Sequence, residues 1–255
     1  MVPRSRASLV SLISKAAVIT GAALLLGQPA WTATSDAASL SARLQQALNA
    51  DDNVDALSAL MDPEQAATLV DSFRRFSSRF PTTRWRVSPG MSLADGRPTV
   101  NLAVTGTRQQ DGLSYSFRAK QRLAFSTEGG LITGQEVLSD QSVLTSAKKP
   151  LPISLMIPDT VLTGTRYDVD VVVDQPLGKA LLAGGLTAVS PEQVLAQQSP
   201  IIQLAPLGGG GLFKSVQAPF QPGVQTWAAL LVHPDGVITV SKRVYVVDDR
   251  QQLKR

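Results

Sequence analysis

Cysteine is absent from the 255 residues, and histidine occurs once, at position 233. The first absence excludes disulfides, thiolate zinc sites, iron–sulfur clusters, cysteine nucleophiles and lipidation at an N-terminal cysteine. The second means that no Ser-His-Asp triad can form without His233. Any metal site would also have to be almost wholly carboxylate, a poor donor set for zinc or copper, so neither a metal nor a cofactor is expected. A concentrated basic domain is also missing. The net charge is +4, but residues 150–255 hold eight acidic and eight basic side chains, and a nucleic-acid binder gathers Lys and Arg on one domain. Nucleic acid is therefore not an expected partner. Beyond the N-terminus, no stretch approaches the roughly 20 apolar residues needed to cross a bilayer.

What is present is enough hydrophobic sequence, 44%, for one large or two ordinary domains that stand on packing alone. Two is the preferred reading. At the N-terminus Arg4, Arg6 and Lys15 precede the apolar run Ala16–Gly27, followed by Gln28, Pro29 and small residues. This is the order of a secretory signal peptide, and the run is too short for a membrane-spanning helix. The expectation is a leader over residues 1–37, cleaved somewhere within about residues 30–38. The mature protein is then exported to the periplasm or beyond, with no transmembrane anchor.

Residues 38–149 begin helical. Leu40, Leu44, Ala47 and Leu48 recur at helical spacing, and Asp51–Leu60 forms a second short amphipathic segment. A third helix has Asp62 as N-cap, Pro63 at its first position, and the apolar face Ala66, Leu69, Val70, Phe73 and Phe76 before Phe80-Pro81 stops it. From Thr82 the period becomes two. Strands are expected near 84–93, 99–107, 113–127 and 131–144, turning at Asp95-Gly96, Asp111-Gly112 and Gly129-Gly130. In the third strand Tyr115, Phe117, Ala119, Gln121, Leu123 and Phe125 share one face, with Ser116, Arg118, Lys120 and Arg122 on the other.

Three helices followed by a long four-stranded meander resemble the cone-shaped fold of the nuclear-transport-factor-2-like superfamily, which includes SnoaL-like and steroid isomerase-like proteins. The resemblance rests on element order over about 105 residues. It implies a pocket between helices and sheet, used for catalysis in some members and for binding in others. Enzymatic members place Asp or His in that pocket. This region has no histidine, and its inward strand positions offer only Gln121 as a polar group. Tyr115, Phe117 and Gln121 are the expected ligand-binding residues.

Residues 150–248 carry seven short strand candidates, at 153–157, 167–173, 180–189, 201–205, 212–217, 226–232 and 237–247. They suit an immunoglobulin-like β-sandwich anchored by Trp227. The expected fold class is thus α+β, a helix-plus-meander cone followed by an all-β sandwich, and residues 249–255 form a polar, frayed tail.

Several motifs invite chemistry and are better read as structure. His233 sits beside the turn Pro234-Asp235-Gly236, a surface position. Asp168, Asp170 and Asp174 hint at calcium, but alternation with Val169, Val171 and Val173 is what a half-exposed strand requires. Asp51, Asp52 and Asp55 fit a helix start. Gly208–Gly211 lacks the Gly-Lys-Ser order of a phosphate loop and reads as an inter-strand loop. Hairpin pairing would set Arg84, Arg86, Arg118, Lys120 and Arg122 side by side on the outer sheet face; a solvated face that charge protects from aggregation accounts for them, and the alternative is a patch for an anionic partner.

The function these features favour is an exported, non-catalytic binding or interaction protein of a bacterial cell envelope. Its partner would be a protein, a polysaccharide or a small apolar ligand. The competing class is an isomerase- or dehydratase-like enzyme using Tyr115 or a helix carboxylate as acid or base. A buried carboxylate in a pocket near Tyr115 would favour the enzyme, whereas an apolar cavity would favour binding. A purely structural envelope protein would show no pocket.

Overall fold

The computed structural model describes residues 31–147, 151–175, 181–196 and 198–254. Most of the expected leader therefore lies outside the described residues. The chain is α+β with antiparallel sheets and a strand-rich C-terminal part. It forms two compact units. The helix-bearing unit comprises 31–106 and 119–138, and the sheet-rich unit comprises 107–118, 139–147 and the described residues from 151 onward.

The helix-bearing unit opens with α1 (Trp31–Leu48), α2 (Asn53–Ser58) and α3 (Pro63–Arg79), followed by β1 (Arg84–Pro89), β2 (Thr99–Gln110), β3 (Leu113–Glu128) and β4 (Leu131–Ala147). Helix α1 starts well before the first periodic leucine. Ala37, placed in the leader by the sequence reading, is buried, so the helical pattern runs back through small residues that carry little hydrophobic signal. The α3 boundaries are those the sequence specifies. Asp62 accepts a hydrogen bond from the Glu64 N–H at 3.0 Å, and the Phe80 N–H donates to the Phe76 carbonyl just before Pro81. Phe73, Phe76 and Phe80 stack along its inner face, Phe73 and Phe76 each 5.6 Å from the Trp85 ring on β1.

The hairpin turns also follow the sequence. Asp111 and Gly112 have φ of 52° and 74°, the left-handed pair that matches strand twist in a two-residue turn. Along β3, Phe117, Ala119, Gln121, Leu123 and Phe125 are buried, while Arg118 and Lys120 are exposed.

The sheet-rich unit contains β5 (Ile153–Met156), β6 (Thr160–Leu162), β7 (Arg166–Val173), β8 (Leu182–Val189), a short helix α4 (Pro191–Leu195), β9 (Ala205–Leu207), β10 (Gly211–Gln217), β11 (Gly223–His233) and β12 (Gly236–Val247). One sheet runs β12-β11-β8-β9, and the other runs β10-β7-β5. The second half of β4 hydrogen-bonds to β12 over Gln141–Ala147, which ties this segment to the C-terminal strands. Beyond it β6 pairs parallel to Tyr245–Val247. Val169, Val171, Leu231, Val240 and Val244 from both sheets join one hydrophobic cluster around Trp227.

Three expectations are corrected here. The strand expected at 201–205 is displaced to β9: residues 201–204 form no strand, and 202–203 pass close over Gly185, where a Cβ would lie 2.1 Å from the Gln203 carbonyl oxygen. The tail is not frayed throughout: Arg250–Lys254 forms a 3-10 helix, capped by Asp249, whose carboxylate accepts from the Gln251 N–H at 2.8 Å. Finally, α4 was not expected, although Ser190 and Gln193 form a reciprocal capping box with Pro191 at the first position.

Candidate binding site

The helix-bearing unit holds a cavity of about 40 Å³, lined by residues of all three helices and all four of its strands. Amphipathic packing explains its lining. Each helix turns its apolar stripe inward, and each strand contributes its alternate residues: Leu44 from α1, Leu57 from α2, Phe73 from α3, Trp85 from β1, Val100 from β2 and Leu123 and Phe125 from β3. Met61, between α2 and α3, is brought to the wall by a parallel bridge to Ile132. There the Asp62 N–H donates to the Ile132 carbonyl and the Ile132 N–H donates to the Leu60 carbonyl, both at 2.9 Å. Gln135 of β4 is the single polar residue among the lining. No lining residue carries an ionisable group, so this wall offers no acid or base for proton transfer.

Edge strand β1 is held in place by α1. Asn49 Oδ1 accepts from the Trp85 N–H at 3.1 Å while Asn49 Nδ2 donates to the Trp85 carbonyl at 2.9 Å. Gln45 Oε1 accepts from the Val87 N–H at 3.0 Å. Two side-chain amides thus satisfy the free edge of the sheet beside the cavity wall.

None of Tyr115, Phe117 and Gln121 is among the residues lining this cavity. Phe117 and Gln121 are buried further along the same face of β3, and Tyr115 lies under the Arg108 guanidinium, 4.9 Å from ring centroid to Cζ. The lining comes instead from Leu123 and Phe125, later on that face and more apolar. Alternation alone identified the face but not the part of it that the helices roof.

The outer face of β1, β2 and β3 carries the cations. Arg84 and Arg86 are exposed and alternate with buried Trp85 and Val87. Lys120 is exposed and Arg122 half-buried, alternating with buried Gln121 and Leu123. Arg118 is exposed on the same strand, in the part that belongs to the sheet-rich unit. Among the described residues, no carboxylate pairs with any of the five. Arg97 is different. It bridges Asp95 and Glu136, each at 2.8 Å, and although burial pulls its pKa down, those two partners outweigh the burial and raise it.

In the sheet-rich unit, Trp227 Nε1 donates to Tyr167 Oη at 2.9 Å, and Tyr167 Oη donates to Gln225 Oε1 at 2.6 Å. Burial raises the Tyr167 pKa above the usual phenol value, against a smaller lowering effect of the Trp227 bond. His233 Nδ1 accepts from the Asp235 N–H at 3.1 Å and so braces its own turn. Asp168 and Asp170 alternate with fully buried Val169 and Val171. Among the described residues, no three His, Asp or Glu side chains gather as a metal site. The glycine run leads into strand β10.

Residues 148–247 match a family described as a domain of unknown function, DUF8623. The match opens directly after β4 and closes on the last residue of β12. None of the curated proteins matches the sequence.

Proposed function

We propose that this is an exported, non-catalytic binding protein whose helix-bearing unit, of the nuclear-transport-factor-2-like kind, takes a small apolar ligand, and whose C-terminal strands form an immunoglobulin-like sandwich. The observation that carries the reading is the cavity wall, apolar throughout except for the Gln135 amide. Such a wall stabilises a hydrocarbon group by excluding water and adds one hydrogen-bonding group for orientation. It supplies nothing to move a proton. Two sheets sharing one core around Trp227 support the sandwich reading. The leader-like order of residues 1–37 supports export.

Size narrows the ligand. The cavity's 40 Å³ is well below the roughly 150 Å³ of an apolar cavity that accepts benzene. A linear alkyl group is therefore the best fit, and a bulkier guest would have to displace a wall residue. Met61, unbranched and adaptable, is the side chain best suited to yield.

Trp85 in the wall provides the readout. Titrating the protein with 1-octanol should change its tryptophan emission saturably, and Trp85→Phe should abolish the response. Absence of a saturable response in the unmodified protein would reject the apolar-ligand reading. Turnover of a substrate with loss on mutating Tyr115 would reject the non-catalytic one.

A further inference from the structure

We infer that the outer face of β1, β2 and β3 in the helix-bearing unit is a docking surface for an acidic polysaccharide. Its cations stand on two rails. Arg84 and Arg86 lie on β1, Lys120 and Arg122 on β3, and β2 runs between them. Two strand spacings set the rails roughly 10 Å apart, and alternate residues along each rail are about 7 Å apart. Arg84 stands opposite Thr105 and Arg86 opposite Ala103, so the floor between the rails is made of small or polar side chains, with Asn101 and Thr105 exposed.

Charge and composition together select the partner. Among the described residues, no carboxylate neutralises these cations, whereas Arg97 nearby in sequence is paired twice. Their field is therefore available to an outside anion. Arginine matches carboxylate and sulfate groups with paired N–H donors. The floor's amide and hydroxyl suit sugar hydroxyls. Trp85, the one aromatic residue of β1, points inward and is buried, so the β1 rail has no ring on which a nucleobase could stack. The outward positions of β1 and β2 also lack the aromatic side chains that accompany arginine in protein–protein hot spots or insert into a membrane interface. A flexible polyanion held by charge and hydrogen bonds needs none of these.

The test uses the full-length protein and two labelled probes, polygalacturonate for carboxylate and dextran sulfate for sulfate, with binding followed by fluorescence anisotropy across a salt series. Arg84→Ser/Arg86→Ser/Lys120→Ser leaves half-buried Arg122 in place. It should weaken binding of at least one probe about tenfold or more and reduce the log–log salt slope by about three, roughly one per cation. A control with the same charge loss on α3, Arg74→Ser/Arg75→Ser/Arg79→Ser, should bind within about twofold of the parent, since screening confines each charge's effect to about 10 Å. The conservative Arg84→Lys/Arg86→Lys variant should retain most of the affinity. The inference is overturned if the face variant binds like the parent, if both triple variants lose affinity equally, or if phosphatidylglycerol vesicles or duplex DNA bind more tightly than either polysaccharide. Octanol-induced emission changes should be the same in all variants, which keeps this result separate from the cavity reading.

Discussion

The side-chain amide of Asn49 pairs with the backbone of Trp85 much as a neighbouring strand would, accepting from its N–H at 3.1 Å and donating to its carbonyl at 2.9 Å. A helix end thus closes a sheet edge, and the residue it holds is also a wall of the cavity. Asn49→Ala should cost about 1–3 kcal/mol in chemical denaturation, because both backbone groups of Trp85 lose their partner. Asn49→Asp keeps the acceptor but sets a carboxylate oxygen against the Trp85 carbonyl, and should cost at least as much. Equal stability of the Ala variant and the parent would show that water replaces the amide without loss.

Filling the cavity separates packing from binding. Val87→Ile and Val100→Ile each add a methylene toward a space that both residues line. Together they should raise stability by up to about 1 kcal/mol and weaken the octanol response severalfold. A loss of stability would mean that the added carbons meet side chains instead of the void. Calorimetry and the emission titration read the two effects independently.

Tyr167 links the sheet-rich core to pH. Its pKa is raised in the folded state, chiefly by burial. The folded protein therefore holds the phenol proton more tightly than the unfolded chain does. That contribution is complete below the unfolded pKa of about 10 and is lost as pH rises through the folded value. Thermal unfolding followed from neutral to strongly alkaline pH should show a fall in Tm above about pH 10 that is reduced in Tyr167→Phe. At neutral pH the same variant strands the Trp227 N–H in the core and should cost about 1–3 kcal/mol.

Gly185 carries the crossing of residues 202–203. A methyl group there meets the Gln203 carbonyl oxygen at 2.1 Å and the Ile202 side chain at 2.6 Å, so Gly185→Ala must push the chain off the strand. The expected cost is about 1–3 kcal/mol, with faster amide exchange at residues 201–207 but not in β11. Unaltered exchange would show that the crossing relaxes freely.

Much of this architecture is legible along the chain because its causes are local. The cap, first-position proline and terminal proline of α3 lie within one short stretch. Asp111-Gly112 adopts the left-handed turn that its residue types favour, and the polarity of β3 alternates with the strand's own pleat. The Ser190 capping box is equally local, but it stands in a stretch where strand signals dominate.

The remainder depends on residues far apart in sequence meeting in space. The rows of Arg84/Arg86 and Lys120/Arg122 are visible in the sequence, but that no carboxylate among the described residues pairs with them is a tertiary fact, set by where each carboxylate falls. The edge pairing of Asn49 spans 36 residues, and the parallel pairing of β6 with β12 joins residues 160–162 to residues 245–247. The cavity is the clearest case. Periodicity identifies which face of each element is apolar, but a void exists only where seven such faces fail to fill the space among them. Local sequence therefore determined the elements and their buried sides. Packing alone decided that Leu123 and Phe125, and not Tyr115, Phe117 and Gln121, line the cavity.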